Sequence, residues 1–337
     1  MQKKSPKILL VWDSDEKLSL PSNDDVLNWQ SYEIVEFDNV FSVQQLIEKN
    51  AEYLRSKYLS YIYDLGEVLV NGKRVIDHLE LRPGFSYWWM TLLTEKCNFA
   101  KSPQIDNIIK ILALKHWLAN KKYTKIVLVS SNDKLAIAIG LLSEEMKLEF
   151  SLKRLIKVSS NKLSPKLFFC SLPRILKAVV SFINHLITHW CLKGIGITEW
   201  RGSEASALFV SYLCNLKPKA VNKGSFESFY WESLPKMLNE EGYVSNWLHI
   251  YVKDEIVTNT KEVASLINSF NKTHEGSQIH VTLHSFLSIK LIVKVLQDWL
   301  KLIRLQKPLS SNMKMIHGYL WPLIESDYYD SLLGQPS

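Results

Sequence analysis

KIVLVSSNDKLAIAIGLL, residues 125–142, decides the fold class. Residues 125–129 form a short run of β-branched and aliphatic side chains of the kind that makes a buried strand. Ser130, Ser131, Asn132 and Asp133 then supply helix N-cap candidates, and residues 135–142 continue as an apolar helix. Strand, polar cap and helix in that order are the grammar of an α/β sheet with parallel strands. The free N–H groups at such a turn suit a phosphate, but Asp133 opposes an anion, so capping is the favoured reading.

Working outward, residues 8–12 read as a short buried strand ended by Asp13-Ser14-Asp15, and residues 32–37 alternate like a second. Val43, Leu46, Ile47 and Leu54 recur at helical intervals, while residues 58–65 look like a strand with Asp64 at its carboxyl end. Residues 105–117 predict a helix with Asp106 in its first turn and Ile108, Ile109, Leu112 and Trp117 on the buried side. The alternation resumes with strand 208–213, helix 234–240, strand 247–252 and helix 261–270. A long apolar and basic helix pattern over 283–305 follows, and residues 319–337 offer aromatics and turns without a closing strand. The expected architecture is two Rossmann-like three-layer α/β units joined by a long amphipathic helix. Its divisions are 1–160 for the first domain, 161–200 for linker and helix, and 201–337 for a second, incomplete domain.

Composition narrows the class. With 337 residues, 47% of them hydrophobic, the chain can bury one large core or two ordinary ones. Its formal charge of +7 is spread along the sequence, which permits attraction to anionic lipid or phosphate-bearing ligands without calling for nucleic acid. Cys97, Cys170, Cys191 and Cys214 show no CxxC spacing, so neither a zinc site nor a secreted disulfide framework is indicated, and reduced cytoplasmic thiols fit. Residues 8–12 are too short for the apolar core of a signal peptide.

The apolar segment 172–192 is interrupted by Arg174, Lys177, Asn184, His185 and His189. Burying those groups in hydrocarbon is costly, so a packing or interfacial helix is expected in place of a membrane-spanning one. His185 and His189 stand four apart, as do His280 and His284, but neither pair has a glutamate or cysteine companion, and no metal is expected. Gly194-Ile195-Gly196 lacks the third glycine and the preceding strand of a dinucleotide loop. No P-loop, GxSxG or paired-carboxylate pattern is present.

Two stretches carry candidate binding residues. In LRPGFSYWWMTLLTEKCNFAKSP, residues 81–103, Arg82-Pro83-Gly84 reads as a turn, and Tyr87, Trp88 and Trp89 cannot share one helix face. Trp88 and Trp89 beside Arg82, Glu95 and Lys96 suit a sugar or nucleotide; the alternative is a helix with two core tryptophans. Between 210 and 249, Tyr212, Asn215, Tyr230, Trp231, Asn246 and Trp247 place polar groups beside aromatics at expected strand ends, where open α/β sheets bind ligands. Core packing is again the alternative. Glu95, His249 and Asp64 are candidate bases, and Arg82, Lys96 and Arg201 could hold an anionic sugar or a phosphate.

On the segment 81–103, together with LFVSYLCN at 208–215, KGSFESFYWESLP at 223–235 and NWLHIYV at 246–252, the chain resembles a family of bacterial surface-carbohydrate biosynthesis proteins. That family is found with lipopolysaccharide O-antigen and capsule assembly and looks like glycosyltransferases. The resemblance implies a GT-B-like pair of units, a glycan acceptor and a sugar-nucleotide donor. Members usually continue into a donor-binding half, and YLWPLIESDYYDSLLG at 319–334 resembles the connector into it. The implied role is therefore the acceptor side of the transfer, with no cofactor in this chain and a donor-binding partner chain. The implied location is cytoplasmic, peripheral on the inner face of the membrane. Two rival expectations are a non-enzymatic membrane-surface partner and a complete nucleotide-dependent small-molecule transferase.

Overall fold

The computed structural model describes residues 7–14, 24–32, 38–95, 98–155, 173–273, 277–316 and 318–332. The chain forms two compact units, Met1–Lys177 with Asp298–Ser337, and Ala178–Gln297. It is an α/β protein, and its first unit is Rossmann-like.

The first unit is built on a five-stranded parallel sheet in the order β3-β2-β1-β8-β9. Its strands are β1 (Ile8–Trp12), β2 (Asp25–Asn28), β3 (Val40–Ser42), β8 (Lys125–Ser130) and β9 (Glu149–Arg154). Between β3 and β8 come helices α1 (Val43–Lys49), α2 (Ala51–Glu67), α3 (Val75–His78) and α4 (Pro103–Leu118). Two small hairpins pair β4 (Leu69–Val70) with β5 (Lys73–Arg74) and β6 (Glu80–Arg82) with β7 (Phe85–Ser86). Strand order reverses between β1 and β8, which is the topological switch point of a doubly wound sheet.

Local chemistry fixes these elements. Helix α5 (Asp133–Glu145) starts where the Asn132 carboxamide accepts the backbone N–H groups of Lys134 and Leu135 at 3.1 and 3.2 Å. Ser102 caps α4 in the same manner, with Pro103 at the first helical position, where its missing N–H is harmless. Leu9, Val11, Ile108, Ile111, Ile126, Leu128, Leu135 and Ile139 are all fully buried between sheet and helices.

Residues 58–65, expected as a strand, lie inside helix α2. Leu54, Tyr58, Ile62 and Leu65 are among its buried residues, spaced four, four and three apart along one helix face. Strands β2 and β3 were not anticipated; of the expected strand 32–37, residues 33–37 lie outside the described residues. Residues 319–332 are helical, as a short 3₁₀ turn and α12 (Trp321–Leu332). Leu323, Ile324 and Tyr328 sink fully into the first unit's core, and the Ser102 hydroxyl at the α4 cap donates to the Asp327 carboxylate. That packing draws the last residues into the first unit, so the expected divisions at 160 and 200 do not coincide with the two units.

The second unit carries a three-stranded parallel sheet, β10-β11-β12, made by Ala207–Leu213, Ser245–Tyr251 and Gln278–Thr282. Its helices are α6 (Arg174–His189), α7 (Ile197–Arg201), α8 (Pro218–Val221), α9 (Leu234–Glu240), α10 (Thr260–Thr273) and α11 (Ile289–Ile316). The unit boundaries fall inside α6 and α11. Val263, Ile267 and Phe270 of α10 close a core with Leu192, Leu213, Phe226 and Trp247. Gly196 lies in this unit with φ of 71°, and a Cβ there would stand 2.5 Å from the His280 carbonyl oxygen on β12. Only glycine permits both the left-handed backbone and that approach. Within Gly194-Ile195-Gly196 it is thus Gly196 that packs against β12.

Candidate functional site

In the second unit, the carboxyl ends of the three strands gather the chemistry. After β10 come Cys214 and Asn215, the latter in the left-handed region with φ of 55°. The Asn215 carbonyl accepts the Phe229 N–H at 2.8 Å, and an antiparallel bridge joins Leu216 to Ser228. These contacts fold residues 226–231 back against β10. Tyr212, Phe229 and Tyr230 stay exposed, Tyr230 at 74%. Behind them the Trp231 indole N–H donates to the Ser211 hydroxyl at 2.8 Å, and its ring meets those of Phe209 and Trp247 edge-on.

Carboxylates border the same edge. Burial and the nearby Asp254 carboxylate raise the Cys214 thiol above its ordinary range. Burial, Glu262 and Asp254 likewise raise the Tyr251 hydroxyl at the end of β11. Both groups are therefore protonated at neutral pH, donors and not nucleophiles.

Beyond β12 the chain enters a 3₁₀ turn, Leu283–Phe286, held by a Thr282–Ser285 capping box. His284 sits in that turn and meets His185 of α6, Nε2 to Nε2, at 3.1 Å. The His189 ring stacks on both, with centroids 4.1 Å from each, and lies 6.2 Å from the Tyr251 ring. One ligand nitrogen from each of the three histidines lies within 4.8 Å of the other two. Burial, with the neighbouring His189 and His185, depresses His284 to about 4; burial and His189 lower His185.

No family model, curated protein or solved structure matches the chain.

The residues singled out in the sequence divide between the units. In the first, Trp88 is 1% exposed and belongs to the core, whereas its neighbour Trp89 is 60% exposed. A 3₁₀ turn over Tyr87–Met90 separates the two indoles. Arg82 pairs with Asp298, Glu95 pairs with Lys101, and Asp64 lies exposed on α2, accepting weakly from Ser60. Lys96 lies outside the described residues. In the second unit, Arg201 is exposed at the last turn of α7, and Asn246 accepts the Ser203 hydroxyl at 2.9 Å.

Trp247 and His249 are interior. Trp247 stacks on Phe209, and its indole N–H donates to Ser245. His249 shares one hydrogen bond with His280, Nε2 to Nδ1 at 3.0 Å, and burial depresses it to about 3. Neither side chain reaches solvent, so Trp88 and Trp247 contribute packing where ligand contact was expected, and His249 does so where a base was expected. Sequence reasoning weighed His284 only within the 280/284 pair, took Asp13 only as a strand end, and did not single out Tyr251. The two HxxxH spacings were visible; what brings His284 onto the 185/189 pair is the turn after β12.

Asp13 follows β1 at the switch point of the first sheet. Its carboxylate accepts the Ser130 hydroxyl and the Gln30 carboxamide N–H, each at 2.5 Å, and its backbone N–H bonds the Val129 carbonyl. This is the crevice position in which doubly wound sheets hold ligands.

Proposed function

We propose that the chain acts in the assembly of a bacterial surface polysaccharide of O-antigen or capsule type, holding the acceptor glycan for glycosyl transfer. The observation that carries this reading is the set of exposed rings, Tyr212, Phe229 and Tyr230, around the Asn215 turn at the carboxyl edge of the second sheet. Sugars present flat C–H faces that stack on such rings and hydroxyls that bond to neighbouring amides. In this reading the units form a GT-B-like transferase in which a partner chain holds the sugar-nucleotide donor. Glu95 and Asp64, the exposed carboxylates among the candidate bases, lie in the first unit.

The reading also places the chain at the inner membrane surface. Residues 175–192 are long and apolar enough to cross a membrane, and 11% of them are buried. Leu176, Val180, Ile183, Ile187 and Trp190 are exposed, and at about 100° per residue they fall on one stripe. Lys177, Asn184, His185 and His189 favour an interfacial lie for this helix.

Calorimetric titration with short glycans and with a panel of sugar nucleotides tests the proposal. Glycan binding without nucleotide binding supports it; nucleotide binding without glycan binding overturns it. That second outcome belongs to the rival reading, a complete nucleotide-dependent transferase, which the Asp13 crevice at the switch point favours as a ligand position.

A further inference from the structure

Helix α6 has two unlike faces. Its apolar stripe points outward, and His185 and His189 sit on the opposite side, about half a turn from Ile183 and Ile187. A spacing of four residues stacks two side chains on successive turns of one face, and here the rings are stacked at 4.1 Å. The third imidazole comes from a different element, the 3₁₀ turn that follows β12.

We propose that His185, His189 and His284 form a binding site for a divalent transition-metal ion of the zinc type, with one position left open to water or to an anionic ligand. Imidazole nitrogen is a borderline-soft donor that suits zinc and its first-row neighbours. Two nitrogens bound at about 2.0–2.1 Å in a tetrahedral shell stand about 3.3 Å apart. His185 and His284 already hold their Nε2 atoms at 3.1 Å. The three rings need only turn their nitrogen edges toward a common centre.

The surroundings prepare the ligands. His189 Nδ1 is 2.8 Å from the His185 backbone carbonyl, which can only accept, so Nδ1 carries the proton and Nε2 keeps its lone pair. That is the orienting hydrogen bond through which a second layer fixes a metal-binding tautomer. The site also lies at the carboxyl edge of the second sheet, beside Tyr251 at the end of β11. Three neutral ligands leave the ion's double charge uncompensated, so its open position suits hydroxide or a phosphate or carboxylate oxygen.

The test uses the full, tag-free chain with Co²⁺ as a spectroscopic probe and Zn²⁺ as competitor. The expected result is one Co²⁺ per chain, with the visible bands of a four-coordinate ion, no thiolate charge-transfer band, and displacement by Zn²⁺. His189→Ala and His284→Ala each weaken binding at least tenfold, while His116→Ala, in the first unit, leaves it unchanged. Absence of stoichiometric uptake overturns the proposal, as does a thiolate band, which would assign the metal to cysteine. Uptake that survives the His189→Ala/His284→Ala double variant overturns it as well. The wild-type spectrum decides even where a variant fails to fold.

Discussion

His185 and His284 place their Nε2 atoms 3.1 Å apart across 99 positions of chain. The contact ties α6 to the turn after β12 within the second unit. An ion bound there adds its binding free energy to folding. At Zn²⁺ one hundredfold above the dissociation constant, the stabilisation is about 2.7 kcal/mol. Differential scanning fluorimetry should show an upward shift in Tm with Zn²⁺ for the wild type and none for His284→Ala.

Gly196 and Gly194 separate backbone strain from contact. Both have positive φ, but a Cβ at 196 meets the His280 carbonyl and the Asn271 carboxamide, whereas one at 194 meets nothing within 4 Å. Gly194→Ala should cost about 1 kcal/mol, the left-handed penalty alone. Gly196→Ala should cost about 3 kcal/mol or more, since the neighbour that must move is strand backbone. Urea denaturation of the two variants measures the difference.

His249 makes stability depend on acid. Its ordinary value is 6.5 and burial in the fold depresses it to about 3, so the unfolded chain takes up a proton that the folded chain refuses. Its contribution is fully present above pH 6.5 and is lost as pH falls toward 3. Between pH 6.5 and 4 the loss is about 3 kcal/mol. Denaturation midpoints across that range should fall steeply for the wild type and more shallowly for His249→Gln.

Tyr230 and Trp231 are neighbours with different work. Tyr230 is exposed, and its replacement by alanine should change stability by less than about 0.5 kcal/mol while weakening glycan binding about tenfold, as loss of one stacking platform does. Trp231 packs on the second core and bonds Ser211, so Trp231→Ala should cost about 2 kcal/mol of stability. Thermal melts beside glycan titrations of both variants separate the two effects.

What the sequence disclosed followed how local the signal was. The unit around β8 and α5 was readable because strand, Asn132 cap and helix are consecutive. Helices α4, α9 and α10, and strands β10 and β11, were readable for the same reason. Residues 58–65 misled because tyrosines and an isoleucine favour strands, while the helical interval from Leu54 through Tyr58 and Ile62 to Leu65 shows only over a longer window. Strands β2 and β3 hold four and three residues, too few to show alternation.

At the candidate site, residue type was legible and position was not. Trp88 and Trp89 are adjacent and chemically alike, yet one is core and the other surface. The 3₁₀ turn Tyr87–Met90 that holds both decides which, and nothing in the pair itself does. His284 joins His185 and His189 only through the parallel arrangement that sets the end of β12 beside α6, a long-range fact invisible to spacing.

Hydrogen–deuterium exchange of the full chain with and without a short surface-glycan fragment tests most directly whether the carboxyl edge of the second sheet binds an acceptor glycan. Protection concentrated at residues 211–215, 226–231 and 251–254 is the predicted result. Protection confined to the switch point around Asp13 and Ser130, or none at all, would contradict it.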